Sequence, residues 1–493
     1  MGGQPATASI DDGPRAYRTS TAPCIVYQRH RPENTLLYQT VQQHIKTFEA
    51  QCEAEGYPLP DFAKNEFEAF LECGILAHGF ARVYCENCKY DQLLAFSCKR
   101  RGFCGSCMAT RMNETAAHLV DSVIPRIPTR QWVLSVPAPL RHLISFDSQA
   151  LKLVIDAYSS AVFSWLKKKA KQRGILEKVR EAHPGAVTFI QRFGSALNLN
   201  THFHSIFSDG IYTENDAGEL TFHRLPGPTL AEVRKIAGKI AKKVHRWLEQ
   251  RMQENNEFAE KEPLLAKCYA ASSRNLTAMG PNAGQPLMRA VDGQAKAKND
   301  RDERTVAGFN LHTSLPIGAN DRAGLERQLR YMGRPPLAEE RLTQRADGRI
   351  VVKLKKNWSD GTSHLILAPM DFMARLVALI PPPRKNQIRY YGIWAPNAKL
   401  RKKAIPEQIS EENTESSCHG KKKGWAKMLA RIFSIDILTC PRCQSKRQMI
   451  SWITESQAIK DILDSLGMPT APPEIAKAAS VAEQTEIFYE YAD

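Results

Sequence analysis

The sequence predicts an α+β fold. An antiparallel sheet is flanked by helices, preceded by a small cysteine-rich domain and followed by a small C-terminal unit. Three observations carry this expectation. Runs of strand periodicity at 186–193, 202–212 and 220–225 follow one another, the last two joined by the hairpin signal Asn215-Asp216-Ala217-Gly218. Amphipathic stretches at 149–172 and 229–253 bracket them with helical spacing. Cysteines crowd between Cys73 and Cys107 rather than scattering.

The chain has 493 residues, room for two to four domains. Apolar residues make up 43% and charged residues 24%, so packed cores are expected. No run of about 18 apolar residues occurs, and no membrane partner is expected. The formal net charge is +16, which points to a polyanionic partner. Twelve cysteines in clusters suggest metal ligation more than disulfides. There is no phosphate-binding Gly-Lys-Ser/Thr loop and no dinucleotide fingerprint, so no nucleotide cofactor is expected.

In order, residues 1–21 read as a disordered tail without the apolar core of a signal peptide. Residues 22–112 read as a helical segment plus the cysteine domain. Residues 113–345 form the main domain, with an irregular, Gly/Lys/Asp-rich insertion around 254–305. It holds a strand at 131–136 (QWVLSV), the helices and strands above, a strand at 308–312 and a helix at 322–332. That helix must stop before Pro335 and Pro336. A β-rich accessory segment spans 346–400, with strands at 350–354 and 364–368. A charged linker spans 401–430, and a small unit with a Cys-x2-Cys closes the chain at 431–493.

Cys85-x2-Cys88 and Cys104-x2-Cys107 stand fifteen residues apart. Each pair makes a knuckle, and two knuckles complete a four-sulfur site for a structural Zn2+ with no open position. Cys73, Cys98 and His78 are rivals for a ligand place. Lys99, Arg100 and Arg101, beside Phe103, form either a surface for phosphates and a stacked base or a solvated loop. Cys440-x2-Cys443 is half a site, with Cys418-His419 as a candidate partner.

His202 and His204 lie two apart in a strand pattern and so share a face, where two imidazoles can chelate a divalent metal. Phe203, Ser205 and Phe207 then face a core. In the helix 322–332, Leu325, Leu329 and Met332 make one apolar stripe. Tyr331 lies roughly 100° off it, flanked by Arg327 and Arg334. A tyrosine beside arginines can meet a phosphate, or it is a surface tyrosine.

These residues resemble the rolling-circle insertion-sequence transposases with a zinc-binding N-terminus, the IS91 and common-region type. The resemblance rests on 96–104 (FSCKRRGFC), 130–135 (RQWVLS), His202-Phe203-His204, 325–336 (LERQLRYMGRPP), 360–364 (DGTSH) and 393–397 (IWAPN). It covers residues 65 to 400 in order.

The resemblance implies an HUH endonuclease fold and chemistry. His202 and His204 would hold Mg2+ or Mn2+ on a central strand, and the metal would polarise the scissile phosphate. Tyr331 would attack, leaving a 5′-phosphotyrosine and a free 3′-OH. The partners would be single-stranded DNA at the element ends and target DNA, met in a bacterial cytoplasm. Residues four away from Tyr331 are Arg327 and Pro335, so this chain departs from the two-tyrosine pattern. Gln328 is the expected third metal ligand, with Asp209 the runner-up.

Two other functions compete. A plasmid replication initiator or relaxase would share the chemistry but not the zinc knuckles. A non-enzymatic zinc-containing DNA-binding protein would leave the histidines and Tyr331 idle. Whichever holds, affinity for DNA should fall by about 10³ or more between 50 and 200 mM salt if six or more phosphates are contacted. A flat salt titration of binding would contradict the reading of the charge.

Overall fold

A computed structural model describes residues 29–251, 257–292, 302–405 and 438–479. The tail at 1–21, Cys418-His419 and most of the linker lie outside these. The chain divides into two compact units. The smaller contains Ala81–Leu93 and, among described residues of the C-terminal part, 438–451.

In the smaller unit, Phe80–Tyr84 and Asp91–Ala95 pair as neighbouring strands, and Gln448–Ile453 adds to the outer side of the first. Arg82 Nε donates to Asp91 Oδ2 at 2.9 Å, and the Arg442 guanidinium lies 4.2 Å over the Tyr90 ring. Of the unit expected at 431–493, the described residues 438–451 group with the cysteine hairpin. Gln448–Ile453 completes the sheet of the cysteine hairpin, because a lone two-stranded hairpin is marginal in water.

The larger unit is built on a six-stranded sheet. Its order is Ile388–Gly392, Gly185–Phe193, Leu199–Ser208, Thr129–Ser135, Phe309–Ile317, Thr305–Val306. Every neighbouring pair is antiparallel. The expected α+β class and antiparallel sheet are thus present. The histidine strand, Leu199–Ser208, sits inside the sheet. His204 pairs with Val133 on one side and Phe189 on the other.

Strand alternation assigns the two faces. Phe203, Phe207, Trp132, Leu134, Ala186 and Ile190 pack under the helices Ala138–Phe146, Ser148–Gln172 and Leu230–Arg251.

 On this face the long helix Ser148–Gln172 buries Val154, Ile155, Tyr158 and Val162 against the sheet. The opposite face carries Val187, Phe189 and Ile206 under the helices Gly105–Ser122 and Arg322–Gly333. There Leu325, Leu329 and Met332 are the buried stripe expected of the second helix. Asp321 caps its start, accepting from Gly324 N at 2.8 Å. The Arg322 guanidinium donates to the carbonyls of Val120, Ile124 and Pro125, closing the end of the helix Gly105–Ser122. Gln191 Nε2 donates to Met332 O at 2.6 Å, tying the helix end to the sheet.

Three segments differ from the sequence reading. The insertion at 254–305 is not irregular throughout. It contains the helix Pro263–Arg274, which buries Leu264, Leu265, Cys268 and Tyr269, and the strand Met288–Val291. Its polar flanks hid the apolar spacing. Met288–Val291 joins Leu342–Gln344, Ile350–Lys353 and Thr362–Leu367 in a separate four-stranded sheet. The accessory segment 346–400 is not self-contained either, because Ile388–Gly392 returns to the edge of the six-stranded sheet.

The expected strand 202–212 breaks at Asp209. A new strand, Gly210–Glu214, pairs with Leu220–Arg224. Asp209 is buried and gripped by Arg130, through Nε at 2.7 Å and Nη2 at 3.2 Å. A Cβ on Gly210 would collide with the His223 carbonyl, so the backbone approach requires glycine. Asp209→Ala would leave the Arg130 charge buried without its partner and should cost about 3–5 kcal/mol of stability. Denaturant unfolding of the variant against wild type checks this. A loss below about 1 kcal/mol would show that the pair is not a structural anchor.

Candidate active site and metal centres

The histidine pair lies on the face that also carries Gln131 and Gln191, since directly opposed residues of antiparallel strands share a side. The two imidazole rings are 4.9 Å apart between centroids. His204 is buried, and His202 keeps some solvent contact. Burial pushes His202 down to about 4, helped by the charges of Arg334 and Arg141 and opposed by the Asn200 carbonyl. Burial pushes His204 down to about 3, helped by His202 and Arg334. Both rings are therefore neutral near pH 7 and carry lone pairs for a metal.

Their neighbours select which nitrogen is offered. His202 Nδ1 lies 2.7 Å from the Asn200 carbonyl, which only accepts, so Nδ1 carries the proton and Nε2 is free. Gln131 Nε2 lies 3.0 Å from His204 Nδ1 and donates to it. A metal on His204 Nε2 would require the Gln131 amide turned, so that its oxygen meets Nδ1–H. Two neutral imidazoles on one face suit a divalent cation such as Mg2+ or Mn2+ when oxygen ligands complete the set.

Tyr331 meets this pair. Its ring stands edge-on to His204, 6.0 Å between centroids at 84°. It is half exposed, off the apolar stripe as its helical phase requires. Arg334 lies 4.6 Å over the Tyr331 ring, and its Nε is buried with no hydrogen-bond partner among the described residues. Arg327 is exposed on the same helix, and Gln328 is half-buried. Asp209 is held by Arg130 and is not available as a metal ligand.

Gln191 was not singled out from the sequence. It lies directly across from His202 on the neighbouring strand. Its Oε1 is buried without a hydrogen-bond partner among the described residues. Arg111 and Arg192 were also missed. With Arg101 and Arg334 they line a cleft floored by Phe189, Gln191 and Met332. No spacing rule links these four arginines, because they come from separate elements.

Of the expected basic run, Lys99 and Arg100 are exposed, while Arg101 donates to the Lys385 carbonyl at 2.9 Å. Phe103 is fully buried against Phe67 and Phe70, with centroids 5.0 and 5.1 Å away. It cannot stack on a base, which corrects that part of the reading.

The cysteine ligand set also needs correction. Cys85 and Cys88 do not join Cys104 and Cys107. Instead Cys73, Cys98, Cys104 and Cys107 form one cluster, and Cys85, Cys88, Cys440 and Cys443 form another. In the first, Sγ atoms lie 3.3 Å (Cys98 to Cys107), 3.6 Å (Cys73 to Cys107) and 3.7 Å (Cys73 to Cys104) apart. The amides of Cys98 and Lys99 point at Cys73 and Cys107 Sγ, both at 3.3 Å. Lys99 takes a positive φ of 54° to do so. Four sulfurs around one point, with N–H donors on them, fit a structural Zn2+. His78 is in neither cluster.

Comparison with protein families gives two matches. Residues 40–136 match the "Transposase zinc-binding domain" of IS91 type, and residues 185–402 match the family described as "Putative transposase". The first contains the cluster Cys73, Cys98, Cys104 and Cys107; the second contains His202, His204 and Tyr331. Comparison with curated proteins and with solved structures gives no match. No helix among the described residues is long and apolar enough to cross a membrane.

The histidine values have a consequence for stability. The unfolded chain binds protons on these rings near the ordinary value of 6.5, whereas the folded rings resist until about 4 and about 3. The stability they contribute is present above 6.5 and is lost as pH falls toward those folded values. Unfolding measured in chelator should show this acid loss, reduced in the double variant His202→Gln, His204→Gln. An equal acid slope in both would refute the depressed values.

Proposed function

We propose that this chain, which matches the transposase zinc-binding domain of IS91 type and the putative transposase family, nicks and rejoins single-stranded DNA at element ends through a covalent link to Tyr331. The observation that carries this is the contact of half-exposed Tyr331 with buried His204 of the histidine pair, under an arginine with an unpartnered Nε among the described residues.

His202 Nε2 and His204 Nε2 would hold Mg2+ or Mn2+, which when bound supplies charge to polarise a phosphate oxygen. Gln191 Oε1 is the favoured further ligand, in place of Gln328, because it is a buried oxygen lacking a partner on the same face. The phenol oxygen of Tyr331 forms a bond to phosphorus as the bond to the 3′ oxygen breaks. The phenol proton leaves and the 3′ oxygen gains one. The product is a 5′-phosphotyrosine and a free 3′-OH, and a later attack by a 3′-OH reverses the step on a new strand. The bond energy is kept in the ester, so no nucleotide is needed.

Arg334 faces the developing charge, and the cleft of Arg101, Arg111 and Arg334 offers a track for the strand's phosphates. Lys99, Arg100 and Arg327 would extend this basic surface. A replication initiator or relaxase would run the same chemistry, but the match to a transposase zinc-binding domain favours the transposase.

Incubation with Mn2+ and single-stranded DNA from the element's ends should give a covalent protein–DNA adduct. Tyr331→Phe should abolish it, and Arg334→Ala should slow its formation by about 10²–10³. An undiminished adduct in Tyr331→Phe would falsify the nucleophile. Gln191→Ala should weaken Mn2+ binding by about 10-fold or more. Mn2+ affinity unchanged in that variant would return the third-ligand place to Gln328.

A further inference from the structure

The second cysteine cluster lies outside the matched zinc-binding domain in half of its members, since Cys440 and Cys443 follow residue 136 by some three hundred positions. We propose that Cys85, Cys88, Cys440 and Cys443 hold a second structural Zn2+, which fastens a C-terminal knuckle to the N-terminal cysteine hairpin.

The sulfurs are arranged for a metal and not for disulfides. Cys85 Sγ lies 3.5 Å from Cys443 Sγ, and Cys88 Sγ lies 3.4 Å from Cys440 Sγ. All four fall within 4.8 Å of one another. A disulfide needs about 2.05 Å between sulfurs. A tetrahedron with Zn–S bonds of about 2.3 Å has edges of about 3.8 Å, close to the observed spacing.

The backbones of the two knuckles match, which is independent of the sulfur distances. Cys85 N donates to Tyr90 O at 2.9 Å, and Cys440 N donates to Ser445 O at 2.8 Å. Each bond spans five residues and encloses the two thiols of its knuckle. The residue after each second cysteine turns left-handed: Lys89 has φ 57° and Gln444 has φ 60°. Neither is a glycine, so both accept a conformation that costs about 1 kcal/mol or more. Two unrelated stretches share one strained turn, which orients amides and thiols around a common centre. Asn87 Nδ2 also donates to Ser445 Oγ at 3.0 Å, joining the knuckles directly.

The surrounding charge agrees. Four thiolates and one zinc leave a net charge of about −2. The same two segments supply Lys89, Arg442 and Lys446 against Glu86, three cations less one carboxylate, or +2. With the ion bound, two segments more than 350 residues apart in sequence become one small core. The gain resembles that of a long-loop cross-link, without the need for oxidation.

The test is zinc content of the full chain, and it does not depend on strand-transfer activity. Wild type should carry two zinc ions per chain. Cys440→Ser with Cys443→Ser should carry one, and so should Cys85→Ser with Cys88→Ser. The quadruple variant should also carry one, because all four residues serve the same ion. Two ions retained in the Cys440/Cys443 variant would overturn the proposal. So would a quadruple variant with none, which would put the two knuckles on different ions. Should the variants not fold, thiol alkylation of the wild-type chain decides. Cys85, Cys88, Cys440 and Cys443 should be protected together and become reactive together when a chelator is added. Labelling of Cys440 and Cys443 at one rate with and without chelator would refute the site, as would their recovery as a disulfide under non-reducing denaturation.

Discussion

The candidate active site depends on one constraint: two imidazoles sit on an inner strand of a sheet covered on both faces. Phe203 and Phe207 take one face, where the long helices bury them, so His202 and His204 must take the other. There the rings cannot stay charged at low cost, and they cannot stay unpaired. The Asn200 carbonyl and the Gln131 amide each engage one Nδ1. What remains is the Nε2 lone pair of His202, joined by that of His204 once the Gln131 amide turns its oxygen to Nδ1–H, beside a buried amide oxygen on Gln191. The helix Arg322–Gly333 covers the apolar remainder of that face with Leu325, Leu329 and Met332. Because these three bury, Tyr331 is carried to the helix flank, against His204.

Much of this was legible in the sequence, and the reason is periodicity. A period of two put His202 and His204 on one face, and a period of 3.6 put Tyr331 off the stripe. Both are local properties, and both appear in the structure. Strand pairing is not local. Nothing near Gln191 says that it lies across from His202, or that Gln131 reaches His204. Arg101, Arg111, Arg192 and Arg334 come together only because separate elements pack around one cleft. The basic run was visible, but the burial of Phe103 was not: a core of Phe67 and Phe70 claims it.

The cysteines show the same limit more sharply. Spacing identifies a knuckle, because two thiols with two residues between can face one ion. It cannot say which knuckle pairs with which. The regular gap between Cys88 and Cys104 invited a local pairing. In the fold, Cys104 and Cys107 meet Cys73 and Cys98, which have no Cys-x2-Cys spacing. Cys85 and Cys88 are left for Cys440 and Cys443. Both sets have four sulfurs, so both are closed to substrate, whereas the histidine pair leaves positions open. Ligand number thus separates the candidate structural sites from the proposed reactive one.

The end of the tyrosine helix shapes the reactive group. Pro335 removes a backbone donor and disfavours helical geometry in the residue before it. Arg334 accordingly leaves the helix with φ −57° and ψ 153°. Its side chain lies over Tyr331 and near Phe193, at 4.6 and 5.9 Å from the ring centroids. A helix continued by one more turn would carry position 335 on the same flank as Tyr331, the spacing at which a second tyrosine would sit. Here that position is a proline past the helix end. The break that takes position 335 out of the helix therefore also brings a cation to Tyr331, and both follow from Pro335.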